Sequence, residues 1–123
     1  MRRRQPERLL QIAVCQHLAR RGVPGLLYLH CPNEGYRAKT YAYALKRMGT
    51  RAGVSDLLLF HQGKFFALEL KAEGERGLMT DAQAAFQMQF NDAGGYAFCA
   101  IGLDKALRTL EAWGLIRPDR GLV

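Results

Sequence analysis

The sequence predicts an α/β protein with a mixed central sheet flanked by helices. Three observations point there. Short apolar runs at residues 26–30, 54–60, 65–70 and 96–101 have the length of strands. Longer segments with apolar residues at helical spacing lie before, between and after them. The second and third runs are separated by a four-residue Gly-containing turn, as in an antiparallel hairpin. The order helix, strand, hairpin, helix, strand, helix gives a layered α/β architecture. The 123 residues suit one domain, spanning 1–123, because a second core would need more chain.

Residues 6–21 read as the first helix. Leu9, Leu10, Ile12, Ala13 and Leu18 form a broad apolar stripe, Pro6 fits the first turn and Gly22 the stop. Glu7 and Gln11 are one turn apart and project from one side. A strand over 26–30 ends at Pro32-Asn33. Residues 36–48 read as a loop and a short helix that stops at Gly49, with Tyr36, Tyr41 and Tyr43 interleaved among basic residues. That pattern suits phosphate contacts and base stacking, and equally a solvated basic helix with its tyrosines packed inward.

Residues 54–60 are a dense apolar run broken by Asp56, and residues 65–70 are a second, broken by Glu69 and followed by Lys71. A polar loop over 72–79 leads to a helix opened by Thr80, which with Gln83 has the spacing of a capping box. That helix runs to Gly94-Gly95. A strongly apolar strand over 96–101 follows. Asp104 then caps a last helix reaching Trp113, and the tail from Arg117 is expected to be loose.

About half the residues are apolar and 24% are charged, which describes a folded chain rather than a disordered one. No apolar run reaches the ~18 residues of a membrane span. The basic start Met1-Arg2-Arg3-Arg4 lacks the apolar segment of a secretory signal, so a cytoplasmic location is expected. Cys15, Cys31 and Cys99 are odd in number and far apart, which argues against a disulfide framework or structural zinc. Cys15 and Cys99 read as buried thiols. His17, His30 and His61 form no ligand-spaced cluster, with His17 on a helix surface and His61 in a turn.

The net charge of +7 favours a polyanionic partner such as nucleic acid. Its distribution sharpens the point. Arg2, Arg3, Arg4 and Arg8 cluster at one end, Arg20 and Arg21 close the first helix, and Arg37, Lys39, Lys46, Arg47 and Arg51 share one stretch. The candidate nucleic-acid contacts are Arg2, Arg3, Arg4, Arg37, Lys39, Lys46, Arg47 and Arg51.

The chemistry lies in the hairpin. With Gln62 and Gly63 as turn residues, counting back puts Asp56 opposite Glu69, with Cβ atoms roughly 4.5–5.5 Å apart. Lys71, two positions on, emerges on the same face. Two carboxylates facing one another among apolar residues repel, and their burial costs more still. A divalent cation between them removes both objections, and oxygen ligands of this kind suit Mg²⁺ or Mn²⁺. Such an ion activates water for attack on a phosphodiester, and Lys71 is placed to stabilise the charge that develops. Asp, a spacer and Glu-x-Lys alone is a common pattern, and its placement inside two strands in matching register is what carries the reading.

Gly53-Val54-Ser55-Asp56-Leu57, Ala67-Leu68-Glu69-Leu70-Lys71 and Leu78-Met79-Thr80-Asp81-Ala82-Gln83 together resemble the VRR-NUC branch of the PD-(D/E)XK nucleases. Gly94 and the strand over 96–101 continue the likeness, which runs from Glu7 to about Leu103. The resemblance implies a restriction-endonuclease-like core in which Asp56, Glu69 and the Leu70 carbonyl bind the metal. Lys71 would assist the nucleophile, Glu7 on the first helix would complete the acidic site, and Gln83 would reach toward it from the following helix. A plain first-turn acid at Glu7 and a plain capping residue at Gln83 are the structural alternatives. One position departs: Ser55 stands where the family has proline, which stiffens the strand but supplies no ligand.

Short members without accessory domains resemble stand-alone phage and bacterial homodimers that cut branched DNA, including four-way junctions. Leu107, Leu110 and Trp113 of the last helix are candidate dimer contacts, or else ordinary core. The expected activity is a metal-dependent endonuclease on DNA. A non-catalytic DNA-binding module with the same fold, or a nuclease acting on RNA, are the alternatives.

Overall fold

The computed structural model describes residues 5–32, 39–74 and 79–119. The elements run α1 (Gln5–Arg21), β1 (Leu27–His30), α2 (Lys39–Arg47), β2 (Leu57–His61), β3 (Lys64–Lys71), α3 (Asp81–Asp92), β4 (Tyr96–Ile101) and α4 (Leu103–Ala112). The strands form one sheet in the order β1-β2-β3-β4. The first three are antiparallel, and β4 returns parallel to β3 through α3, so the sheet is mixed as expected.

The hairpin has the anticipated register. His61 pairs with Lys64 and Leu57 with Leu68. Gln62 and Gly63 take positive φ values of 50° and 80°, as the two-residue turn that matches strand twist requires. One boundary differs: the ladder starts at Leu57, three residues later than the apolar run suggests, so Asp56 stands just ahead of β2. Ahead of it Val54 is half-buried and Ser55 buried, outside the ladder.

Alternation along the hairpin sorts the side chains. Leu57 and Leu59 share a face with Phe66, Leu68 and Leu70, and this face meets Leu10, Val14 and Leu18 of α1 and Ala106 and Leu110 of α4. The α1 stripe is therefore narrower than predicted. Leu9 and Ile12 remain exposed, and positions 10, 14 and 18 form the buried line because only one side of α1 meets the sheet. Leu110 is fully buried, and Leu107 and Trp113 pack against the core. The core thus takes up Leu110 wholly and Leu107 and Trp113 in part.

Two further expectations are corrected near the C-terminus. Gly102, not Asp104, is the N-cap of α4, and Asp104 lies in its first turn paired with Arg108. The tail is tied down at least to Asp119. The buried Arg21 guanidinium reaches Glu111 and donates from Nε to the Arg117 carbonyl at 2.8 Å, while Arg117 N–H donates back to the Arg21 carbonyl at 2.9 Å. Arginine patterns in sequence do not reveal such a clasp, because the partners, a carboxylate and a backbone carbonyl, lie ninety or more residues away. The cysteines are free but half-buried rather than buried.

Candidate active site

Asp56 is held by backbone on both sides. Its carboxylate Oδ2 accepts from the Leu70 N–H at 2.7 Å, in place of the ladder partner that β2 does not supply. Its carbonyl accepts from the Cys31 N–H at 2.9 Å and from His30 Nδ1 at 3.0 Å. The chain reaches this position through Gly53, where φ is +84° and an added Cβ would lie 2.3 Å from the Ala82 carbonyl in the first turn of α3. Gly53→Ala is thus expected to cost at least about 1–2 kcal/mol for the backbone conformation alone, with the clash added. Thermal denaturation together with a cleavage assay measures it, because any shift of this segment moves Asp56.

Glu69 lies where the register placed it, one step beyond the last β2–β3 pair and across from Asp56. It is 4% exposed, and its Oε2 is 3.7 Å from Lys71 Nζ, itself almost buried. Glu69 Oε1 is buried with no hydrogen-bond partner. Burial pushes the Glu69 carboxyl up to about 8. The Asp56 charge adds to this, Lys71 opposes it, and Glu7 and a hydrogen bond to Asp56 raise it further. Near neutral pH one proton is therefore retained between the two acids. Cys99, the register partner of Glu69 on β4, has its thiol pushed up by burial first and by Glu69 next.

A cavity of about 240 Å³ opens beside Asp56, lined by Glu7, Arg8, Gln11, Ile12, His30, Asp56 and Leu70. It brings Glu7 from α1 to the acid that precedes β2. Gln83 is not among the lining residues. Its amide oxygen accepts from Thr80 N–H at 2.9 Å while its own N–H donates to Thr80 Oγ1 at 3.1 Å, completing the predicted capping box. Arg8, Gln11 and His30 were not foreseen as site residues. The one-turn spacing of Gln11 from Glu7 was a usable signal for Gln11. His30 becomes a neighbour only through its pairing with Leu57 across β1–β2.

Oxygen donors of this kind have the chemistry that a hard divalent cation prefers. Two carboxylates meet there, one with an unsatisfied buried oxygen, and the Leu70 backbone emerges on the Asp56 side of β3. Among the described residues no three His, Cys, Asp or Glu side chains gather closely enough to hold an ion by themselves. Glu7 therefore stands near the pair without forming a three-carboxylate cage.

Of the candidate nucleic-acid contacts, Arg2, Arg3, Arg4 and Arg37 lie outside the described residues, as does the Lys39 side chain. Lys46 and Arg47 are exposed on α2. Arg51 is drawn toward α3, donating to Gln89 and lying 5.3 Å from the Phe86 ring centre. No helix among the described residues is long and apolar enough to cross a membrane.

No protein-family model and no curated protein matches the chain. A solved structure of a VRR_NUC domain protein matches it with a TM-score of 0.67 at 23% identity, covering 85% of this chain and 84% of that one. The two share a fold, the mixed four-stranded sheet flanked by helices that the sequence predicted.

Proposed function

We propose that this chain is a VRR-NUC-type endonuclease that hydrolyses DNA phosphodiester bonds with Mg²⁺ or Mn²⁺. Its substrates are structured or branched DNA such as four-way junctions. The observation that carries this is the meeting of a half-buried Asp56 with the buried Glu69 and Lys71, with a Glu69 oxygen left unsatisfied and its carboxyl pushed up to about 8. A structural ion pair needs one acid and one base. A second acid in the same buried place is costly unless a cation joins it.

Asp56 and Glu69 would hold the ion, with the Leu70 carbonyl as a backbone ligand. In an extended strand a residue's N–H and C=O leave on the same edge, so that carbonyl faces the side on which Asp56 takes the Leu70 N–H. When bound, the cation polarises the phosphodiester and makes water a better nucleophile. The Leu70 N–H keeps Asp56 oriented. Lys71, 3.7 Å from Glu69, stabilises charge growing on the phosphate and orients the attacking water. Glu7 adds negative potential from α1 and accepts from water in the cavity. Arg8, at the same cavity and exposed, is placed to take a neighbouring phosphate. Gln83 serves the site through α3, whose capped first turn backs the segment leading to Asp56.

A symmetric junction needs two cuts, which a twofold homodimer supplies. That dimer uses a surface other than the core-facing side of α4. The working location is the cytoplasm of a bacterial or phage-infected cell.

The test is a substrate panel of duplex, flap, splayed-arm and four-way-junction DNA and a structured RNA, each with Mg²⁺, Mn²⁺ or EDTA. Metal-dependent cleavage strongest on a branched DNA is the expected result. Binding without cutting on every substrate would make the chain a non-catalytic DNA-binding module, and cutting confined to RNA would move it to the other alternative.

A further inference from the structure

Among the described residues, α2 is the helix with no buried side chain. Among its described side chains and those after it through Thr50, only Leu45 is partly buried, while Tyr41 and Tyr43 are 57% and 65% exposed. A nine-residue helix without packing is marginal in water. Two exposed tyrosines on it contribute no burial energy to the fold.

Charge narrows what that something is. Between Gly35 and Ser55 the sequence has five basic residues, Arg37, Lys39, Lys46, Arg47 and Arg51, and no acid. Spacing separates two sides. Tyr41, Leu45 and Met48 fall on one face, and Leu45 turns to the loop formed by residues 49–52. Tyr43, Lys46 and Arg47 fall on the other, where the Arg47 guanidinium lies 5.8 Å from the centre of the Tyr43 ring. An aromatic ring flanked by cations, one of them already lying over it, offers a stacking surface between phosphate contacts.

Topology places this surface. The chain leaves the sheet after His30 and returns at Asp56, and the two ends are joined by the Cys31 N–H to the Asp56 carbonyl at 2.9 Å. The segment carrying α2 is therefore rooted at the acid of the candidate active site.

We infer that the Tyr43–Lys46–Arg47 face of α2 binds single-stranded nucleic acid, stacking an unpaired base on Tyr43 while Lys46 and Arg47 meet the flanking phosphates. Resting on the nuclease reading, this adds a preference within the branched substrates: flaps and splayed arms, which carry unpaired nucleotides next to the bond that is cut, over fully paired junctions. A fully paired duplex keeps its bases stacked on one another and gains only the phosphate contacts.

The test is binding by the full chain in EDTA, which removes cleavage from the readout. Fluorescence anisotropy follows a labelled single-stranded oligodeoxynucleotide, the matching oligoribonucleotide and the fully paired duplex. A 2-aminopurine in the single strand reports stacking directly. Tyr43→Ala is expected to weaken single-strand binding roughly 5- to 150-fold and to abolish the 2-aminopurine response, with duplex affinity changed less than about twofold. Tyr43→Phe keeps the ring and is expected to bind as wild type. Arg47→Ala is expected to flatten the salt dependence on the single strand by about 0.7 in log–log slope, the share of one phosphate. Equal losses on the two single strands mean that the platform accepts either sugar, and a loss confined to one identifies the source.

The inference is overturned if Tyr43→Ala binds single strands as wild type does, if it loses duplex equally, or if Tyr43→Phe is as impaired as the alanine variant. The two readings separate cleanly. Wild-type protein that shows the Tyr43-dependent binding but never cuts with Mg²⁺ or Mn²⁺ removes the nuclease reading and leaves this one. Cutting that is indifferent to Tyr43 on a single-stranded substrate does the opposite.

Discussion

Asp56→Asn is expected to lower divalent-cation-dependent cleavage by about a thousandfold or more while leaving the fold intact. The amide oxygen of asparagine still accepts the Leu70 N–H, so the local geometry that Asp56 now holds at 2.7 Å survives. What disappears is one of the two charges that would retain the proposed ion. Lewis-acid stabilisation by a metal is worth several kcal/mol, and each 1.36 kcal/mol is a factor of ten in rate. Lys71→Ala is expected to cost about a hundred- to a thousandfold by removing the cation that answers charge on the phosphate. Steady-state cleavage of the best substrate gives the rates, and far-UV circular dichroism with thermal melts checks the fold. Variants of either residue that cut at the wild-type rate would remove the proposed function.

The second large effect is on stability. Glu69 titrates at an ordinary 4.5 in the unfolded chain and at about 8 when folded, with burial as the main cause. The folded state thus favours the protonated carboxyl. Its contribution is fully present below the unfolded value and is lost as pH rises through the folded one. At about 1.4 kcal/mol for each pKa unit, the metal-free protein is expected to lose on the order of 5 kcal/mol between pH 4.5 and pH 9 through this group. Urea denaturation across that window measures it. Glu69→Gln, which cannot ionise, is expected to flatten the dependence and to be more stable than wild type at pH 9. On the proposed reading an ion would take the place of the Glu69 proton, so Mn²⁺ affinity is expected to rise over the same interval, and calorimetry in two buffers of different ionisation enthalpy counts the proton released. A stability curve with no fall above pH 7 in the metal-free protein would mean that the two acids do not share a buried site.

Most of the architecture was legible in the chain itself, and for a local reason. A two-residue turn at Gln62-Gly63 leaves only one register for two apolar runs, so Asp56 had to oppose Glu69 and Lys71 had to follow on that face. The Thr80–Gln83 capping box and the strand over Tyr96–Ile101 are likewise decided within a few residues, by hydrogen bonds the sequence can close on itself. Tertiary structure alone decided the rest. It chose which of the α1 apolar residues are core, because that depends on the direction from which the sheet approaches. It turned Arg21 inward onto the Arg117 carbonyl and Glu111, assigned Leu110 to the interior, and set Glu7, Arg8, Gln11 and His30 around one cavity. It also left Tyr41 and Tyr43 of α2 exposed, where the sequence alone allowed the tyrosines to pack inward. Side chains that meet across many residues of intervening chain are brought together by how the layers dock. Periodicity along the chain records which residues share a face, and carries no record of what that face will meet.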